Sequence, residues 1–465
     1  MSIKSLLGFF VATGCAFSAQ AMSIDWRGNY RFELLDMDST SLSTPKERKS
    51  YVLNSLMLEP HIYAADGVNI VGLINVLPNA TYPGSQLGQA YGRSITSGGS
   101  ASTDSSNSRV LSKTQGTSSM EVQQLYLNLV QEYGSITLGR QPVHFGLGMY
   151  ENAGKGLFDH WSSSRDMIAA KFIVGNTSIT PMFGRPYQSK LSQGDTMTDM
   201  MLDVSYSNPE TASAVGILYQ VRRSDVDTND YPKTSIPTAS VLGGFEQKNV
   251  NLFLSRDFEG FQFRMEAGFQ SGNSGLRNTA GEETNFAGYG LAVEMNFPRP
   301  ESKLYWQIMT GFASGDNPTT KDYEGYLMNR NYDIAMLMFN HPVGKFDVFS
   351  SRLGRTSDRK FEVADEEVMS NAFYFAPRLT YKFSDKIDIQ HVFATGLLHN
   401  SPIANVSVAS DIGYEYDLSV IYKPFDRMQW VNQLGVFAPG SAFQGGQGYD
   451  TKLTYGFVSK AAISF

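Results

Sequence analysis

The chain has 465 residues, with 45 acidic against 38 basic side chains, a net charge of −7 and a single cysteine. An acidic chain argues against nucleic acid as a partner, and one cysteine excludes an intramolecular disulfide. Aromatic residues make up 12% of the chain but charged residues only 18%, and there are 43 glycines. This composition favours a protein built from many strands over a helical one.

The N-terminus has the organisation of a secretory signal peptide. Lys4 precedes an apolar run from Leu6 to Phe17, and Ser18-Ala19-Gln20-Ala21 provides a cleavage site of small residues. We predict a signal peptide at 1–21 and one transmembrane β-barrel at 22–465, exported through the periplasm.

Two alternatives to this reading of the N-terminus exist. A membrane anchor needs about 20 apolar residues, more than the run provides. A lipoprotein would use Cys15, but Ala12-Thr13-Gly14 match a lipobox poorly. No second apolar stretch is long enough for a spanning helix, which excludes a helical membrane protein.

From residue 24 onward, apolar and polar residues alternate along the chain. Residues 261–270 place one set on each face: Phe261, Phe263, Met265, Ala267 and Phe269 against Gln262, Arg264, Glu266, Gly268 and Gln270. The same period of two recurs in 24–34, 373–383 and 412–423. It predicts strands with one apolar and one wet face.

The connections between these strands are of two kinds. Short turns are expected at 65–67, 132–134, 175–177, 208–210, 258–260, 384–386 and 425–427, and long polar stretches at 78–118, 224–244, 272–284, 314–330, 354–368 and 440–449. Such a pattern is typical of an outer-membrane barrel with short periplasmic turns and long extracellular loops. We expect an all-β, single antiparallel barrel of about 18 strands, with 16–20 possible. Residues 331–353 fit either an extra hairpin or an ordered part of one loop.

The last strand supports an outer-membrane location. Phe457, Ala461, Ile463 and the terminal Phe465 share one face. This ending is similar to the signal that the barrel-assembly machinery recognises, so we expect that machinery as a partner through Phe465. Outer-membrane lipid and lipopolysaccharide are then the surroundings of the barrel.

A closed barrel of this size implies a function. A sheet that spans a bilayer must close, because lipid offers its backbone no hydrogen bonds. A barrel of about 18 strands is too wide for side chains to fill, so its interior holds water. The sequence therefore predicts a porin for passive diffusion of small hydrophilic solutes or ions.

No motif in the sequence indicates catalysis. The six histidines are scattered, none at the i, i+4 spacing of a metal site, and no nucleophile elbow or phosphate loop is present. We expect no catalytic residues, no metal and no cofactor. A barrel enzyme and a structural barrel without conduction are the alternatives.

Strand parity predicts the charged residues of the pore wall. They are Arg27, Arg31, Glu33, Arg222, Arg264, Glu266, Lys303, Arg378, Lys382, Glu415 and Asp417. Over the whole inward face the bases outnumber the acids, which predicts a mild preference for anions, because wall charges set pore selectivity. The alternative is that these charges pair across strands and hydrate the wall.

One long connection, residues 142–165, is more apolar and aromatic than the others. It carries Lys155, Asp159, His160 and Trp161. It is a possible constriction loop that folds into the lumen. A packed external loop is the other possibility.

Two segments resemble the alginate-export family of outer-membrane porins. They are Gln123–Leu129 with Ile136-Thr137-Leu138-Gly139-Arg140-Gln141 and Phe145-Gly146, and Gly413–Leu418 with Phe437–Ala442. The resemblance implies a monomeric 18-stranded barrel, with Arg140 as a pore residue and acidic sugars or polysaccharide as solutes. Parity from Ile136 and Leu138 points Arg140 outward, so a pore position needs a bulge and the alternative is the rim.

Overall fold

The computed structural model describes residues 23–38, 42, 48–76, 89–90, 120–185, 197–224, 244–277, 282–298, 301–340, 369–401, 407–444 and 451–465. The predicted signal peptide, the loop at 354–368 and the second half of 331–353 lie outside the described residues. No helix in the described ranges is both long and apolar enough to cross a membrane.

Twenty strands of the described residues form one sheet. They are β1 (Ser23–Met37), β2 (Lys49–Ala65), β3 (Val68–Asn75), β4 (Gln89–Ala90), β5 (Glu121–Gln131), β6 (Gly134–Pro142), β7 (Ser164–Val174), β8 (Thr177–Arg185), β9 (Met197–Asn208), β10 (Ser213–Ser224), β11 (Glu246–Phe258), β12 (Phe261–Arg277), β13 (Glu283–Phe286), β14 (Tyr289–Phe297), β15 (Leu304–Ala313), β16 (Ala372–Ser384), β17 (Ile387–Leu398), β18 (Asp411–Tyr422), β19 (Met428–Pro439) and β20 (Thr454–Ser464). A short 3₁₀ turn at Ser441–Phe443 follows β19.

The sheet closes on itself. Neighbouring strands pair antiparallel, and β1 pairs with β20 from Asn29 opposite Ser464 to Met37 opposite Gly456. The short β4 and β13 extend the edges of β2 and β12 beyond β3 and β14. The other eighteen strands of the described chain form the wall of the barrel, as the alternation predicts.

The two faces of the wall differ in chemistry. Along β1, Arg31 and Glu33 are buried inside the barrel, whereas Tyr30 and Phe32 are exposed outside. The same contrast runs around the barrel, where Ile168, Phe183 and many other large apolar side chains point outward. An apolar exterior on a closed sheet is the form that a lipid bilayer requires.

The structure corrects two of the predicted connections. The stretch 272–284 is not a plain loop, because β12 continues to Arg277 and pairs with β13. Residues 331–340 form turns rather than a strand, so the first arm of the possible extra hairpin is wrong and the ordered-loop alternative applies to them.

The apolar core lies inside the barrel. It consists mainly of two loops that fold inward from the long-loop end, together with the wall residues they touch. We name residues 143–163 the first inward loop and residues 314–340 the second inward loop. Their fully buried side chains include Met149, Tyr326, Ile334, Leu337 and Met338.

Candidate pore constriction

The first inward loop crosses the barrel. It hydrogen-bonds to β12 at one end and to β1 at the other. Around the wall these strands are separated by nine strands in one direction and seven in the other. They are therefore nearly opposite each other, and the loop between them spans the lumen.

Glu266 of β12 anchors one end of this loop. Its carboxylate accepts hydrogen bonds from the backbone N–H groups of Leu147 (2.8 Å), Met149 (3.1 Å) and Tyr150 (3.2 Å). The backbone turns towards the carboxylate at Gly146, whose φ is +56°. A Cβ there would lie 2.8 Å from Glu266 Oε2, so glycine permits both the turn and the close approach.

Arg31 and Glu33 of β1 hold the other end. Arg31 Nη1 donates to the carbonyl of Asp159 at 2.7 Å, and Glu33 Oε1 lies 2.8 Å from His160 Nε2. Arg31 and Glu33 also pair with each other at 2.6 Å, with both side chains almost fully buried. Nearby, Lys460 of β20 lies 4.8 Å over the ring of Phe158.

A buried charged cluster ties the base of the loop to β7, β9 and β10. Asp199 accepts from Arg165 (2.5 Å) and Arg222 (2.7 Å), and Arg165 also pairs with Glu151. Removing one member would leave its buried partners without an opposite charge, which typically lowers the free energy of unfolding by several kcal/mol. Burial raises the pKa of Tyr150 well above its ordinary value, so its phenol keeps the proton that it donates to Gln220.

The second inward loop is anchored in the same manner. Asp417 of β18 accepts from the backbone N–H of Met336 at 2.9 Å. Glu415, also on β18, accepts from Leu337 at 2.6 Å and Met338 at 2.5 Å. The wall thus uses carboxylates to satisfy loop N–H groups that would otherwise be buried without partners.

Arg378 of β16 adds an anchor of opposite sign. Its Nη2 donates to the carbonyls of Asp333 (3.0 Å) and Ile334 (2.8 Å). Wall side chains therefore satisfy acceptors as well as donors of the second inward loop.

The two inward loops meet within the barrel. Asn329 N–H donates to the carbonyl of Met149 at 2.6 Å. Asn331 accepts from the N–H groups of His160 (3.2 Å) and Trp161 (3.1 Å), and its amide donates back to the Trp161 carbonyl at 2.6 Å. The loops form one connected obstruction rather than two separate flaps.

Wall glycines make room for this obstruction. A Cβ on Gly268 of β12 would lie 2.1 Å from the hydroxyl of Tyr326, and one on Gly435 of β19 would lie 2.9 Å from the sulfur of Met336. The absence of side chains at these inward positions lets the second inward loop pack against the backbone of the wall.

Cavities with charged side chains among their lining residues remain between the inward loops and the short-turn mouth. One of about 440 Å³ is lined by residues of β15–β18 and the turn before β15, including Lys303, Lys382, Asp388 and Lys423. A second of about 340 Å³ lies between the first inward loop and β1, β2, β3 and β5, with Arg27, Glu59, Tyr126 and Lys155 among its lining residues. A third of about 200 Å³ lies along β6–β10 and includes His144, Lys171 and Asp203.

The predicted wall residues fall into distinct groups. Six hold the inward loops: Arg31, Glu33, Glu266, Arg378, Glu415 and Asp417. Arg222 belongs to the buried charged cluster, and Arg264 is half-buried opposite Glu294. Three line the cavities: Arg27, Lys303 and Lys382.

The residues predicted for the constriction loop also have different surroundings. Lys155 lines a cavity, whereas Asp159 and His160 bind the β1 wall. Trp161 is buried against the second inward loop, where Arg330 stacks 4.2 Å over its ring.

Arg140 does not belong to the interior. It shares a face with Leu138, which is exposed on the outside, and makes a two-pronged ion pair with Asp166 at 2.8 and 2.9 Å. Gly139 has a φ of +123°, but this local distortion leaves Arg140 on the outer face. The pore position implied by the family resemblance is therefore wrong, and the parity of the strand gives its true side.

Several functional residues escaped the sequence analysis. Asp199 alternates with outward-facing residues of β9, so strand parity could have predicted that it faces the lumen. The second inward loop contains Ile334-Ala335-Met336-Leu337-Met338-Phe339, an apolar run without alternation inside a long loop. Such a run signals a buried segment that is not a lipid-facing strand.

Among the described residues, no group of His, Cys, Asp or Glu is arranged to hold a metal ion.

These features define the class of the molecule: an outer-membrane β-barrel with a porin fold and loops folded into its lumen. No protein-family model matches the sequence, and no curated protein matches it either. The alginate-export family is therefore not supported by the comparisons.

Solved structures share the fold over nearly the whole chain. OccK9 (OpdG) from Pseudomonas aeruginosa matches 95% of this chain and 98% of its own, at 12% identity and a TM-score of 0.52. The outer membrane protein OpdK from Pseudomonas aeruginosa covers 95% and 99%, at 10% identity and a TM-score of 0.51. A BenF-like porin from Pseudomonas fluorescens Pf-5 covers 95% and 98%, at 9% identity and a TM-score of 0.50.

Proposed function

We propose that the chain is an outer-membrane porin that passes small hydrophilic solutes, with a mild preference for anions. The observation that carries this proposal is the way the inward loops are held. Side chains of the wall bind the loop backbone from opposite sides of the barrel, at Glu266 and at Arg31. Loops fixed in this way narrow a lumen that a barrel of this width otherwise leaves open.

The distribution of charge supports the anion preference. The acidic side chains Glu266, Glu415 and Asp417 are occupied as anchors of loop N–H groups. The cavities are instead lined by more bases than acids: Arg27, Lys155, Lys171, Lys303, Lys382 and Lys423 against Glu59, Asp203 and Asp388. Solutes in these cavities therefore meet a net positive wall, which attracts anions.

The size of the solute follows from the obstruction. Two connected loops inside the barrel favour small solutes over a polymer, so the acidic-polysaccharide channel suggested by the resemblance is the second candidate. OpdK, which shares the fold, has been solved with vanillate. We infer that a small organic anion of this kind is a suitable first solute to test.

Planar-bilayer recording tests the proposal. Purified, folded protein should give ohmic single-channel currents, and the reversal potential in a salt gradient should have the sign of anion selectivity. Absence of current would favour a barrel enzyme or a structural barrel. A cation-selective reversal potential would leave the porin but refute the anion preference. Block of the current by long acidic oligosaccharides, but not by vanillate, would favour the second candidate.

A further inference from the structure

A row of charged side chains crosses the outer face of β6–β11 at the long-loop end. The register places Arg140 opposite Asp166, and Asp166 opposite Arg185. Continuing the β8–β9 register puts Arg185 opposite Thr198. Thr198 pairs with Arg223, and Arg223 with Glu246. We call the five charged residues the outer charged row; Thr198, which lies between Arg185 and Arg223, is uncharged and buried.

From β6 to β10 the next row towards the membrane centre is apolar. Leu138, Ile168, Phe183, Met200 and Val221 are successive partners across the same strands. Leu138, Ile168 and Phe183 are exposed on the outside of the barrel. The outer charged row therefore lies directly on the border of the lipid-facing surface.

The position along the strand agrees with this border. On β7 the outward face runs from Asp166 to Val174 at the short-turn end. That length is about 26 Å along the strand, or roughly 20 Å along the membrane normal for a strand tilted by about 40°. An outer-membrane barrel has an apolar band about 25 Å tall, so Asp166 lies close to the outer edge of this band, with Arg140 and Arg185 beside it on the neighbouring strands.

The charge of the row is not balanced internally. Asp166 neutralises Arg140 in a two-pronged pair, and Lys248, one row below, neutralises Glu246 at 2.8 Å. Arg185 and Arg223 have no ion pair within the described part of the chain. They are two strands apart, about 10 Å, and both are exposed.

We propose that the outer charged row binds the phosphorylated sugar headgroup of lipopolysaccharide, with Arg185 and Arg223 each holding an anionic group. A guanidinium matches the geometry of a phosphate with two parallel hydrogen bonds. The apolar row directly beneath suits the acyl chains of the same molecule. An anionic head above an apolar surface is the chemistry of an acidic lipid and not of a soluble anion.

The test uses the full mature chain, folded in neutral detergent, and diphosphorylated lipid A as the probe. Native mass spectrometry measures its binding to wild type and to the double variant Arg185→Gln/Arg223→Gln. Loss of two charge-assisted contacts should weaken binding at least about tenfold. Dephosphorylated lipid A should bind the wild type as weakly as the phosphorylated form binds the variant.

Two controls make the result decisive. Arg256→Gln removes an outward arginine near the short-turn end of β11, where it stacks over Phe258, and should leave binding unchanged. Millimolar inorganic phosphate should not displace the lipid. Equal binding of the double variant and wild type, or an equal loss in Arg256→Gln, would overturn the proposal. All proteins should show the same heat-modifiable gel mobility and bilayer conductance, which separates this proposal from that of the channel.

Discussion

Replacing Glu266 with alanine should release the first inward loop from the wall. Three backbone N–H groups, those of Leu147, Met149 and Tyr150, would lose their acceptor. Each buried N–H group without an acceptor destabilises the loop in its inward position by about 1–3 kcal/mol. Water from the lumen that enters the space vacated by the side chain lowers this penalty to about 1 kcal/mol for each group. The total is then about 3 kcal/mol, which raises the population of a displaced loop about 150-fold.

Single-channel recording should detect this change. We expect Glu266→Ala to show added openings of higher conductance and more current noise, while the barrel still folds. Glu59→Ala is the matched control, because it removes a negative charge from a cavity wall without touching a loop backbone. If Glu266→Ala and Glu59→Ala gave the same conductance and noise as wild type, the anchoring role of Glu266 would be refuted.

Four further changes test other parts of the structure. Glu415→Ala should raise conductance by freeing residues 337 and 338 of the second inward loop, which bilayer recording would show. Lys382→Glu with Lys423→Glu should move the reversal potential towards cation selectivity, because two wall charges change sign. The anion-to-cation permeability ratio calculated from this potential should fall by roughly tens of percent. An unchanged potential would contradict the cavity assignment. Arg140→Gln should leave both conductance and selectivity unaltered, because its side chain is on the outer face. Gly268→Val should displace Tyr326 and lower thermal stability by about 1–3 kcal/mol through overpacking, measured as a shift in the heat-modifiable gel transition.

Much of the fold could be predicted from the sequence because the environment of each strand is two-sided. Lipid outside and water or polar loops inside force a period of two, so β1, β12, β16 and β18 were visible as alternating segments. The short turns lie between such segments and were found for the same reason. Parity also gave the true side of Arg140, against the family resemblance.

The site was harder to predict because alternation reports the face of a residue and not its partner. Alternation assigned Glu266 and Glu415 to the inward face, yet nothing in their strands indicates that they bind loop backbones. Glu266 binds a loop 119 residues away in the sequence, and Glu415 binds one 78 residues away. Those contacts depend on the path of the inward loops. The only local signal of that path is an apolar run, such as Ile334–Phe339, in a segment that otherwise appears to be a surface loop.

The position of the first inward loop within the conducting path can be tested with one introduced cysteine. Lys155 is exposed and lines a cavity between the loop and the wall. The predicted mature chain contains no cysteine, so Lys155→Cys gives a single target for a bulky, charged thiol reagent added from the short-turn side. We expect modification to reduce the single-channel current in one step. Complete modification, verified by mass, with an unchanged current would place the loop outside the path of the solute.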